Sequence, residues 1–339
     1  MNRVVPDLKR TILLAAMLIT PMLGIAQPKS IWIDTDIHLG RFGRDVDDGL
    51  AVMQAIRSNQ VVVKGISLTL AIDHGYKVTS QLLERCGKSI PLYKGASSYR
   101  GLGKETDAVK ALTEALRKER LSILVLGPAT NIASVLLLHP ELQQQIVEVV
   151  FCGGRQPGKV FNPATGRINL PDTNFERDPA AFKLILETNT PVVLAGYEAS
   201  SSVYFNKEDI QFLKESPNET DQWLYKKLRH WQKLWRIALG SKRGFIPFDA
   251  VTAGWLTSPE YFLYYKDIPV AMKLMKNDSK LFRLFHSKKL YLQVSYNYLP
   301  AKTVQYCYGI QPEYKQVMLQ SLRGQSYSDT FHILTTTNK

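Results

Sequence analysis

The chain predicts an α/β fold: an open, mostly parallel sheet flanked by helices, with a helical cap near the active site. Three observations carry this expectation. Apolar runs of strand length, bounded by turn residues, recur along the chain; helix-length amphipathic stretches alternate with them; and residues 206–240, rich in Lys, Trp and Tyr, read as helix outside that alternation. Strand and helix patterns in alternation are the signature of βαβ units around a parallel sheet. With 339 residues of mixed composition, the chain can form one large domain of this kind.

Residues 1–26 come first and read as an export signal. Arg3, Lys9 and Arg10 precede an apolar run from Ile12 to Ile25, and Gly24 and Ala26 supply small residues for cleavage after Ala26. The run is short for a membrane span and contains Pro21, and no later stretch is long and uncharged enough to anchor the chain. The expectation is an exported protein, periplasmic or secreted, with residues 27–339 as its one domain and no stable membrane anchor.

The strand-like runs are Ile31 to Ile33, Val61 to Thr69, Leu121 to Gly127, Ile146 to Phe151 and Pro191 to Ala195. Helices are expected near Asp48 to Ser58, Tyr76 to Cys86, Ala108 to Glu119, Asn131 to Leu138 and Pro179 to Glu187, with Pro and Gly at the junctions. The tail adds a strand-like segment LYLQVSY from Leu290 and a helix-like EYKQVMLQSL.

The formal charge is +13, and loss of residues 1–26 lowers it to about +11 by simple counting. The Lys and Arg residues are scattered rather than gathered in one stripe with interleaved aromatics, so they read as solvated faces and not as a nucleic-acid surface. Cys86, Cys152 and Cys307 lie far apart in apolar segments, which suggests buried thiols and neither a disulfide framework nor a zinc site.

The chemistry concentrates after the first strand. Asp34-Thr35-Asp36 leads into a glycine-containing loop, and Asp45-Val46-Asp47-Asp48 opens a helix, which places five carboxylates at one strand end. In an open α/β sheet the carboxyl ends of the strands form the ligand crevice. Such crowding is costly unless a cation neutralises it, and an all-oxygen set without a His/Cys cluster suits a hard divalent ion such as calcium. Helix capping accounts for one or two of the carboxylates at most.

These residues resemble the inosine-uridine nucleoside hydrolase family, whose opening signature is a strand, Asp-x-Asp, a short glycine loop and Asp-Asp before a helix. Three further segments are similar in order: Gly127-Pro128-Ala129-Thr130-Asn131; Cys152-Gly153-Gly154 with Asp172-Thr173-Asn174 and Asp178-Pro179; and Phe248-Asp249-Ala250-Val251. The resemblance spans Ile31 to about Pro259 and implies a nucleoside hydrolase-like sheet. It further implies that Asp36, Asp48, Asp249 and the Thr130 carbonyl hold Ca2+ with a water, and that Asp36 accepts that water's proton as it attacks C1′ of a ribonucleoside. Asp47 and Asn174 then bind ribose hydroxyls, with Asp172 in place of the family's glutamate. Cys152 lines the ribose pocket, and Asp34 orients the metal ligands. A small-molecule nucleoside is the implied partner, and the family suggests dimers or tetramers.

The sequence departs from the family pattern at three places. The loop Ile37 to Val46 holds ten residues where the family commonly has three; Asp73 falls where the family has an asparagine; and Phe248 replaces a histidine that can protonate the departing base. An aromatic cage of Tyr225, Trp231 and Trp235 around the base, with His230 as proton donor, is the expected substitute, against plain helix packing as the alternative. His38 and His74 lie near predicted strand ends and could approach the pocket, but a surface or helix-capping role is the expectation for each. Two other readings stay open: an exported pentoside- or ribonucleoside-binding protein with little catalysis, and a phosphatase built on Asp34-x-Asp36.

Overall fold

The computed structural model describes residues 27–163, 169–279, 286–299 and 301–323. The expected signal at 1–26 lies outside the described residues. β1 (Lys29–Thr35), β2 (Val61–Leu68), β3 (Leu92–Lys94), β4 (Leu121–Val125), β5 (Ile146–Phe151) and β6 (Val192–Ala195) run parallel. β7 (Phe262–Lys276), β8 (Lys288–Val294) and β9 (Thr303–Ile310) complete one nine-stranded sheet in the order β3-β2-β1-β4-β5-β6-β9-β7-β8. β9 continues the parallel set beside β6, and β7 pairs antiparallel with both β9 and β8.

Crossovers between the parallel strands are helical: α1 (Asp47–Arg57), α2 (Ile72–Arg85), α3 (Asp107–Lys118), α4 (Thr130–Leu138), and α5 (Thr173–Arg177) followed by α6 (Pro179–Leu186). After β6 come α7 (Tyr197–Ser200), α8 (Gln211–Glu215), the long α9 (Glu219–Ala238) and α10 (Phe248–Thr257); α11 (Tyr314–Arg323) closes the described chain. Strand alternation splits the core into two layers. Ile31 and Ile33 of β1 join the cluster that includes α1, α10 and α11, while Trp32 joins the one that includes α3, α4 and α6. Both faces of the central strands are covered, which is why they read as continuous apolar runs. Truncating a fully buried residue such as Leu124 to Ala costs about 2–5 kcal/mol.

Two placements matter for the site. The chain walks outward from β1 to β3, then returns to lay β4 on the other side of β1, so the strand order reverses between β1 and β4. Polar groups at such a switch point find a crevice outside the strand ends. Second, α1 and α10 pack against each other and both begin at that crevice. Among the described residues no helix is long and apolar enough to cross a membrane. The three cysteines are free thiols, Cys152 and Cys307 buried and Cys86 half-buried.

Candidate active site

β1 delivers Asp34, the loop after it delivers Asp36 and Asp45, and the first turns of α1 and α10 deliver Asp47, Asp48 and Asp249. Asp47 Oδ2 accepts the backbone N–H of Asp249 at 3.2 Å, tying together two helix starts from distant parts of the chain. Helix N-termini carry partial positive charge and favour carboxylates. The N-cap of α1 is Val46, which makes no side-chain cap, and Asp47 instead satisfies a first-turn N–H of α10.

Carboxylate oxygens of Asp45, Asp47 and Asp48 lie within 4.8 Å of one another. Burial, and after it mutual repulsion, pushes the carboxyls of Asp36 and Asp47 up to about 7 and those of Asp48 and Asp249 well above their ordinary range. Asp45 is raised by burial, and burial alone lifts Asp34 to about 7. Oδ1 of Asp45 and Oδ1 of Asp249 are buried without a hydrogen-bond partner among the described residues. Crowded carboxylates with orphaned oxygens fit a hard divalent cation.

Hydrogen bonds lock the surrounding groups. Thr35 Oγ1 donates to Asp48, and Asp34 Oδ1 accepts from Ser67 Oγ and, at 2.8 Å, from Asn131 Nδ2. Asn131 also donates to the Leu68 carbonyl, so the Gly-Pro-x-Thr-Asn turn clamps the ends of β1 and β2. Gly127 of the same turn is needed for a close approach: a Cβ there would lie 2.9 Å from Asp36 Oδ1. Thr130 is buried at the start of α4; its hydroxyl donates to Asp178 and its carbonyl accepts the Ser134 hydroxyl at 2.7 Å.

Arg177, beside Asp36, escaped the sequence reading, and His38, weighed there as able to approach the pocket, stands beside Asp36 too. Arg177 donates to Asp36 Oδ2 at 2.8 Å, and His38 Nε2 lies 4.0 Å from the same oxygen. His38 is buried, so its expected surface role is corrected; burial first, then Arg44 and Arg177, lowers its pKa to about 4. His74 stands near it, with ring centroids 6.4 Å apart. Their sequence signals were position alone: His38 is two residues past Asp36, and Arg177 directly precedes Asp178-Pro179.

A cleft opens above Asp45, Asp47 and Asp249. Cys152, Asp172 and Asn174 line one side, and Phe161, Tyr197, Trp231, Trp235 and Phe248 form its aromatic walls. Asp172 is buried and accepts the Gly154 N–H at 2.8 Å; burial raises its pKa to about 6. Asn174 donates to the carbonyls of Leu126 and Cys152, which fixes its amide plane. Phe248 stacks on Phe161 at 6.3 Å, and Phe161 on Tyr197 at 4.6 Å, a wall the sequence reading did not foresee.

Asp36, Asp48 and Thr130 are buried and do not line the cleft, and three residues expected at the substrate fall outside it. Asp73 is 92% exposed and ion-paired to Lys94 at 2.8 Å, because it sits on the outer face of the first turn of α2. Tyr225 packs against the core beneath α9. His230 is exposed and faces a neighbouring groove, because one step along a helix turns a side chain by about 100° away from Trp231. The cage therefore consists of Trp231 and Trp235 from α9 with Phe161, Tyr197 and Phe248, and no histidine is among its wall residues.

Comparison with known proteins agrees with this geometry. The sequence profile of the inosine-uridine preferring nucleoside hydrolases matches residues 31–308. A pyrimidine-specific ribonucleoside hydrolase (RihA) from Citrobacter koseri is 27% identical over 157 residues, 46% of this chain and 48% of that protein. Its counterpart in an Escherichia coli O1:K1 strain is 28% identical over 160 residues, 46% and 49% of the two chains. The match thus spans about half the length of these curated relatives. Among solved structures, a plant nucleoside hydrolase superposes with a TM-score of 0.70 at 19% identity, covering 87% of this chain and 99% of its own. A purine-preferring ribonucleoside hydrolase from Gardnerella vaginalis gives 0.68 at 18% identity, covering 87% and 98%. The fold is shared with both of these solved structures.

Proposed function

The chain belongs to the inosine-uridine preferring nucleoside hydrolase family, and from that premise we propose that it cleaves the N-glycosidic bond of ribonucleosides with water, releasing ribose and a free base, with calcium as its resident ion. The observation that carries the proposal is the clustering of Asp36, Asp45, Asp47, Asp48 and Asp249, of which Asp45, Asp47 and Asp249 line the floor of an aromatic-walled cleft.

Asp36, Asp48, Asp249 and the Thr130 carbonyl hold the ion in this reading, and Asp45 joins them through its unpartnered oxygen. When bound, such an ion neutralises the carboxylates and acidifies a water that it holds. Asp36 takes the proton of the attacking water, and Arg177 fixes the orientation of its carboxylate. Asp47, Asn174 and Asp172 grip the ribose hydroxyls while C1′ becomes cationic, with Asp34 bracing the strand end behind them. The base leaves from between Trp231 and Trp235 on one side and Phe248 and Phe161 on the other.

A second reading, a ribonucleoside-binding protein with little catalysis, is favoured by one observation: Phe248 stands where a proton donor is expected, and His230 faces away. One experiment separates the two. Purified protein is incubated with purine and pyrimidine nucleosides and released reducing sugar is measured, with and without a calcium chelator. Ribose release that the chelator abolishes supports the hydrolase; tight nucleoside binding without release supports the binder. Export follows from the signal-like residues 1–26 and is checked by fractionating cells that express the full chain.

A further inference from the structure

Beside the catalytic cleft, on the far side of Trp231, runs a second groove of about 940 Å³, its open mouth included. The ten-residue loop Ile37 to Val46 forms one wall and α9 forms the other. Its charged groups all have one sign: Arg41 and Arg44 come from the loop, and Lys226 and Lys227 from the helix, with the His230 imidazole beside them. No Asp or Glu lines it, and none of Arg41, Arg44, Lys226 or Lys227 has a carboxylate within 4.0 Å among the described residues.

The apposition of loop and helix is built, not incidental. Gly40 has φ +80° and lies so close to the stem of Lys227 that a Cβ would come within 2.4 Å of its Cδ, so only glycine lets the loop rest there. The Lys227 ammonium in turn sits 5.4 Å above the Trp223 ring. Phe42, at the tip, is 91% exposed and extends the groove with an apolar face.

Charge balance makes this groove informative. The five carboxylates of Asp36, Asp45, Asp47, Asp48 and Asp249 outnumber the two charges of one divalent ion, and the surplus repels an anionic substrate. A unipolar basic groove beside the cleft offsets that repulsion and draws anions toward it. We propose that the groove receives an anionic substituent of the substrate, a phosphoryl group on the pentose or a carboxylate on the base, so that the protein prefers charged nucleoside derivatives to bare nucleosides. The inference rests on the nucleoside-hydrolase reading, since Trp231 is the wall shared by groove and cleft.

Calorimetric titration of the calcium-loaded protein, slowed by Asp36→Asn so that the ligand survives the run, with uridine, uridine 5′-monophosphate and orotidine tests it, and comparison of the last two tells a pentose phosphoryl from a base carboxylate. At low salt, at least one of the two anions binds about five- to tenfold more tightly than uridine. The preference shrinks as salt is added and disappears in an Arg41→Ala/Lys226→Ala variant whose melting temperature and uridine affinity are unchanged. Equal affinities for all three ligands, or a preference that survives the double substitution, overturn the groove while leaving the cleft intact. Failure of all three to bind overturns both readings.

Discussion

The floor of the cleft buries six carboxylates against one another, whereas the cap and loop above it expose arginines and lysines to solvent. Strand ends and helix starts position the floor: Asp36 follows β1, Asp48 opens α1, and Asp249 opens α10. Surface side chains of α9 and a loop with two left-handed glycines position the rim. The contrast teaches a division of labour. Groups that must hold fixed geometry stand on the rigid sheet and stay destabilising while uncompensated; groups that select a ligand stand where substitution disturbs little.

The largest effect that tests this contrast comes from the floor. Asp36→Asn and Asp249→Asn lower ribose release by about 10²- to 10⁴-fold. Asp249→Asn also raises the melting temperature of the metal-free protein, because it removes a buried carboxylate that its neighbours repel. Turnover within twofold of the parent would show that the floor does not carry the chemistry.

Next is the coupling of pH, calcium and stability. Asp34, Asp36 and Asp47 are raised from 3.8 to about 7, so their folded pKa exceeds the unfolded one. Their contribution to stability is then fully present below about pH 4 and is lost as pH rises through about 7. Metal-free protein should therefore melt at a lower temperature at pH 8 than at pH 5, and calcium should restore stability most at pH 8. At a hundredfold excess over Kd the restoration is roughly 2.7 kcal/mol. Melting curves with and without chelator give the answer; a metal-free melting temperature that climbs over this range contradicts the assigned burial.

Smaller effects belong to the cap. Trp231→Ala raises KM about three- to tenfold with kcat within twofold, since it removes stacking and no reacting group. Smallest are His230→Ala and Asp73→Ala, which leave turnover of uncharged nucleosides unchanged and alter stability by less than about 0.5 kcal/mol. A tenfold loss of kcat in His230→Ala would return that side chain to the cleft.

Much of this was legible along the chain. Apolar runs marked β1, β2, β4, β5 and β6 because strands covered on both faces show themselves as unbroken hydrophobic stretches. The 15-residue β7 was not foreseen: its segment FLYYKDIPVAMKLMK mixes charged and apolar residues, with both termini of the strand pairing different partners. Clustering of Asp34, Asp36, Asp47 and Asp48 was visible because they share one strand end and one helix start.

By itself, then, the sequence determined the alternation of strands and helices, the acidic strand end and the four-residue spacing that puts Trp231 and Trp235 on one helical face. Only the tertiary structure decided which way α9 turns that face, and with it that Tyr225 packs into the core and His230 faces the groove. It alone brought Arg177 and His38 to Asp36, and Phe161 and Tyr197 to Phe248. The reason is physical: local periodicity fixes a side chain's angle about its own element, but long-range packing fixes where that element points, and contacts between distant segments leave no periodic trace.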